Sequence, residues 1–269
     1  MTTTFAVPTL RPAGLADAIR SEWTKLRSVR STFWTLLAAT VLTIGLGALI
    51  SNGFAGNYSS SSPSDQATFD PTNISLTGLI LGQLAIGVLG VLTVTSEYST
   101  GMIRTSLAAV PRRGRLLVAK AGVFAAVSLV VGEVVSFLAF FLGQSIMSGR
   151  APHATLSQPF VLRAVFGAGL YLAVLGLLAI GIGTILRHSA GAITILVAVA
   201  FVLPALSNAL PSSWRHPVQK YLPTNAGSQI FAVHHGTHDL TAWAGFLVFC
   251  AYTAAVLAVG CWLLLRRDA

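Results

Sequence analysis

Apolar residues gather in six long stretches, the third interrupted only by Glu133, each near the ~20 residues that a helix needs to cross ~30 Å of hydrocarbon. They cover Phe33–Ile50, Leu76–Thr95, Ala121–Met147, Ala164–Leu186, Ala190–Leu210 and Ala242–Leu265. None shows the in–out alternation of a membrane β-strand. The pattern predicts an all-α, polytopic membrane protein with six transmembrane helices. Ahead of the first stretch the rhythm changes. Leu15, Ile19, Trp23 and Leu26 recur at helical spacing, while Asp17, Arg20, Glu22, Lys25 and Arg27 fall mostly on other faces. Such a helix lies in the membrane interface, apolar side toward lipid. The expected division is 1–32, a cytoplasmic N-terminus with the interfacial helix; 33–265, one six-span domain; and 266–269, a cytoplasmic tail.

The polar segments give the orientation. With the N-terminus inside, the inner segments hold 13 of the 17 Lys and Arg, among them Lys25, Arg104, Arg112, Arg113, Arg115, Lys120 and Arg187. Arg150, Arg163, Arg215 and Lys220 are left outside. Inner loops are the basic ones, so both termini are expected in the cytoplasm. Met1–Arg30 has neither the apolar core nor the cleavage site of a signal peptide. The Ser-rich segment Ser51–Ser75 reads as a flexible outer tether. Pro211–Thr241, with Trp214, Tyr221 and Phe231, reads as short helices or turns at the outer interface.

Composition narrows the function classes. Only 9% of residues are charged, against ~25% in a soluble domain. The net charge of +9 does not indicate nucleic acid, because the basic residues sit between spans rather than on one soluble face. Cys250 and Cys261 lie eleven residues apart in one apolar run, too far along a helix to pair.

No GxxxxGK[ST], HExxH or GxSxG occurs in the chain, so the familiar phosphate-cradling and hydrolytic signatures are missing. No cofactor or metal is expected. His234, His235 and His238 with Asp239 read as a solvated loop group, and the GxxxG of Gly78 and Gly82 as a chance product of 25 glycines. Glu133, inside the third span, stands out. A carboxylate at that depth faces the bundle interior or a wet cavity. It is either a substrate-path or proton-accepting residue, or a protonated group bonded to a neighbouring helix. Gln83 and Gln144 are weaker members of the same class.

The segment between spans two and three carries the densest motif: Glu97, Tyr98, Gly101, Met102, Ile103, Arg104 and Leu107, then Pro111, Arg113 and Lys120. A short helix broken from span two at Gly101 and ended before Pro111 fits it. Together with Glu22-Trp23-Thr24-Lys25-Leu26-Arg27 and Thr32-Phe33-Trp34 ahead of span one, this pattern resembles the ABC-2-type permeases, the membrane subunits of ATP-binding-cassette exporters. The likeness runs the length of the chain, though Met102 stands where many members have Thr. It implies a permease that pairs with a second copy or a homologous permease, and that works on separate ATP-binding-cassette ATPase subunits. It also implies that Glu97–Leu107 is the coupling element, with Tyr98, Met102 and Ile103 as anchors and Glu97 and Arg104 as rim charges. A membrane enzyme without a familiar motif, and a non-transporting sensor or immunity protein, are the alternatives from other classes.

Overall fold

The computed structural model describes residues 14–109 and 112–266. Pro111, most of the C-terminal tail and the first 13 residues lie outside the described residues. Helix α1 (Leu15–Ser28) precedes α2 (Arg30–Asn57), which forms span one. Short helices α3 (Pro63–Ala67) and α4 (Pro71–Leu76) follow, then α5 (Leu79–Ser99), which completes span two. A separate helix α6 (Met102–Ala109) leads to span three, α7 (Arg113–Met147), and span four, α8 (Val161–Leu186). Span five consists of α9 (Ser189–Val197), a π-helical turn (Ala198–Val202) and α10 (Leu203–Ser207). Beyond it come α11 (Ser212–Tyr221), α12 (Pro223–Ser228), a 3-10 turn (Gln229–Phe231) and span six, α13 (Ala242–Arg266). Six described helices are long and apolar enough to cross a membrane, and each contains or overlaps an apolar stretch read from the sequence.

Helix α8 is the hub. It packs against α5, α7, α9 and α13, and it is the most buried of the six spans. A helix apolar all round suits that place. Spans one and five are the least buried. In span five, Pro204 offers no backbone donor, and the π turn lies immediately before it. A widened turn is a common accommodation within a helix.

Two local readings of the sequence are corrected. Ser51–Ser75 is not a tether. Helix α2 runs on to Asn57, and two capped helices follow. The Ser62 hydroxyl accepts from Asp65 N at 3.2 Å, and Asp70 Oδ1 accepts from Thr72 N and Asn73 N at 3.0 Å. Each cap precedes a proline at the first helical position, a start signal that outweighs serine content. Nor is the GxxxG idle. A methyl group at Gly78 would strike the Thr43 carbonyl, and one at Gly82 would lie 3.0 Å from Thr43 Oγ1. Both glycines let α2 cross closely against span two.

Opposite the α6 side, α12 and the 3-10 turn sink between spans four and six. Ala226 and Ile230 are fully buried. A Cβ at Gly227 would lie 2.5 Å from the Phe249 ring and 3.1 Å from the Tyr171 ring. The expected turns at the interface are therefore in part a plug within the bundle.

Candidate functional site

Helix α1 is amphipathic, and both of its faces are used. Leu15, Ile19 and Trp23 are exposed on one side, as a helix lying on lipid requires. Leu26, at the end of that stripe, is half-buried against the cluster around Phe124 and Leu117. Ala18 and Glu22, one turn apart, are buried instead, Ala18 against Ala119 of α7. The small Ala18 allows close approach, and that approach carries the Glu22 carboxylate into the protein.

Glu22 meets three other charges there. Lys120 Nζ donates to Glu22 Oε2 at 2.6 Å and to Glu97 Oε1 at 2.9 Å. Lys25 Nζ donates to Glu22 Oε1 at 2.7 Å and to Glu97 Oε1 at 2.8 Å. Lys25 also reaches Ser106 Oγ on α6 at 3.2 Å, and Lys120 reaches the Thr93 carbonyl at 3.3 Å. Glu97 Oε2 is buried and has no hydrogen-bond partner among the described residues. Two ammonium and two carboxylate groups thus form a closed, neutral square joining α1, the end of α5, α6 and the start of α7. Charge-assisted bonds of this length are the strong ones. The side chains of Glu22, Glu97 and Lys120 are 3%, 6% and 5% exposed, so the ions support one another in place of water. Lys25 is the outermost. Burial pulls its pKa down, but the hydrogen bonds and charges of Glu22 and Glu97 outweigh that and hold it above the ordinary 10.5.

Helix α6 starts after Gly101, whose φ of +71° suits glycine and lets the chain turn sharply out of α5. The turn sorts the motif residues between two sides. Met102 and Arg104 are exposed and Leu107 is half-buried. Glu97 and Ile103 are buried, so they are not surface groups as the rim-and-anchor reading had them. The physical reason is that Glu97 is held by two lysines and Ile103 is on the inner side of α6, beside Leu116 and Leu117. Tyr98 is half-buried, with the Arg187 guanidinium 5.0 Å above its ring.

The two mid-membrane polar residues are not brought together by any hydrogen bond. Gln83 Oε1 accepts from Tyr171 OH at 2.8 Å, tying span two to span four. Among the described residues, neither Glu133 oxygen has a hydrogen-bond partner, and both are buried. They lie against Gly169 of α8, at a crossing so close that a methyl group on Gly132 would be 3.1 Å from Gly169 Cα. Gln144, by contrast, is satisfied by the Pro71 carbonyl, Ser75 Oγ and Ala154 N.

Glu22 and Lys120 were not singled out as a pair by the sequence. The available signal was a carboxylate one turn from an alanine, on a helix whose other acid, Asp17, caps its start, with a lysine at the base of an apolar run. Their partnership spans 98 positions.

Five apolar spans around a buried sixth, with a short helix between spans two and three hydrogen-bonded to an interfacial helix, make up a multi-pass membrane protein. The sequence model of the ABC-2 family transporter proteins matches residues 18–206, and the chain belongs to that family. A member of it is the membrane component of a transporter and is not itself the ATPase. No curated protein matches the chain.

Proposed function

We propose that the chain is the permease subunit of an ATP-binding-cassette exporter, and that α6 receives the motion of a separate ATPase subunit. The observation that carries this reading is the double character of α6. Its outer side offers Met102 and Arg104 to a partner, while its inner side is fastened through Ser106 and Lys25 to the charge square. A load on α6 reaches α1 through Lys25 and the base of span three through Lys120. The absence of a phosphate-binding loop in the sequence supports an external source of energy. The little-buried faces of spans one and five support association with a second permease copy. The basic residues concentrated on the α6 side support a cytoplasmic location for α1, α6 and both termini, in the cell membrane.

The test uses the chain co-expressed with its ATPase. Met102→Asp removes an exposed anchor, so ATPase co-purification should fall about 30-fold, the loss of ~2 kcal/mol expected of one central contact. Membrane insertion stays intact. A cysteine at Thr105 should resist labelling from outside, while one at Ser60 should label. Unchanged co-purification and coupled transport in Met102→Asp would remove α6 as the docking element, and outside labelling at Thr105 would reverse the orientation.

A further inference from the structure

On the membrane face opposite α6, a cleft opens between the start of α8, the 3-10 turn and the start of α13. One lobe, of about 360 Å³, is lined by Leu162, Phe166, Leu170, Ile230 and Trp243 together with Arg163. A second, of about 290 Å³, shares Arg163 and Trp243 and adds Phe160, Val233 and His235. Arg163 is the third residue of α8 and Trp243 the second of α13, so the mouth lies where both helices leave the hydrocarbon. Leu162, Phe166 and Leu170 follow at intervals of four and run about 12 Å down α8, at 1.5 Å per residue.

The Arg163 charge is poorly compensated. Its Nη2 donates to the Ala232 carbonyl at 2.8 Å, and its Nη1 lies 3.4 Å from His235 Nε2. Its guanidinium carbon lies 5.3 Å from the Phe160 ring centre. Its Nε is buried without a partner. Among the described residues Arg163 makes no ion pair. The nearby Asp239 carboxylate accepts from Gly236 N at 3.0 Å. His235 Nδ1 lies 2.9 Å from Gln229 Oε1. Donation there leaves Nε2 as an acceptor for Arg163, which requires a neutral ring. Burial and the Arg163 charge lower the His235 pKa, which favours that form. The site therefore has, at its rim, a cation with no ion-pair partner among the described residues, and an apolar trough below it. A guanidinium matches a phosphate in geometry as well as charge. A soluble anion would leave the trough empty, and a zwitterionic lipid would bring a second cation, its own headgroup amine, up to Arg163.

We propose that this cleft holds one anionic phospholipid of the leaflet opposite α6, its phosphate on Arg163 and an acyl chain along Leu162, Phe166 and Leu170. Native mass spectrometry of the full chain, with phosphatidylglycerol or phosphatidylcholine supplied, tests it. The expected result is about tenfold stronger retention of phosphatidylglycerol, unaffected by excess glycerol phosphate. Arg163→Gln abolishes that preference. Leu162→Asp, at an exposed position that leaves the Arg163 hydrogen bonds alone, abolishes it independently by placing an anion at the mouth. Trp243→Ala weakens retention of both lipids and leaves their ratio unchanged. Equal retention of the two lipids by the unaltered chain, or a preference surviving both Arg163→Gln and Leu162→Asp, overturns the proposal. Displacement by glycerol phosphate overturns it too, in favour of a soluble-anion site.

Discussion

Two groups of buried carboxylates in this molecule have opposite fates. Glu22 and Glu97 share two lysines at the edge of the membrane, each bond 2.6–2.9 Å long. Glu133, deep in span three, has both oxygens buried and none bonded. The first arrangement connects four helices and gains its strength from closure, since every charge has two opposite neighbours. The second makes no hydrogen bond to a neighbouring helix among the described residues. The contrast separates a group that joins four helices from the carboxyl proposed for the substrate path.

The sharpest way to break the contrast is to open the square. Lys120→Met leaves two buried carboxylates with only Lys25 between them, which should cost about 3–5 kcal/mol. A large drop in the unfolding temperature in detergent is expected. Adding Glu22→Leu should recover much of it, because removing a whole buried pair is far less damaging than removing half. Wild-type stability in Lys120→Met would show that the square is not a fastening.

Glu133 should respond in the other direction. Glu133→Leu removes a carboxyl residue of a kind that costs about 2.5–3.5 kcal/mol at the centre of a spanning helix, so the chain should become more stable while transport falls. Glu133→Gln should keep the fold and change the rate or pH dependence of transport. Full transport in both variants would take Glu133 off the path and leave it only a defect.

A smaller effect tests the link from the square to α6. Ser106→Ala deletes the Lys25 contact at 3.2 Å and should cost ~1 kcal/mol or less, with ATP hydrolysis partly uncoupled from transport. Unchanged coupling would mean that α6 is steered by its apolar underside, not by the square.

The smallest effect is a pH dependence. The Lys25 pKa is raised in the folded chain, so its stabilisation is fully present below pH 10.5, the unfolded value, and is lost as pH rises through the folded value. The difference in unfolding temperature between the natural chain and Lys25→Met should be constant from neutral pH to about pH 10 and shrink above it. A difference that already shrinks between pH 7 and 9 would contradict the raised value.

The six spans were legible because a long apolar run has few other uses, and each run carries its own evidence. Capped helices α3 and α4 were obscured by serine-rich composition, although Ser62-Pro63 and Asp70-Pro71 state their starts locally. The site was legible only in part. Gly101, Met102 and Arg104 fall where a short connecting helix needs them. The square was not legible, because Glu22, Lys25, Glu97 and Lys120 come from three distant segments and nothing in helical spacing pairs them. Glu97 illustrates the difficulty: at the end of a span a carboxylate ordinarily faces water, and only the fold reveals the two lysines that face it.

The plug between spans four and six places an unequal demand on heredity. A methyl group at Gly167 would lie 2.7 Å from the Ile230 carbonyl, and one at Gly245 would strike the Ala226 carbonyl. Both obstacles are backbone atoms, which cannot swing aside as a side chain can. Elsewhere on the outward faces of these spans one apolar letter can replace another, because lipid adapts to either. At Gly167 and Gly245 even the smallest copying error, glycine to alanine, displaces the main chain. A library of all single substitutions should therefore show Gly167→Ala and Gly245→Ala as intolerant, at residues that bear no charge.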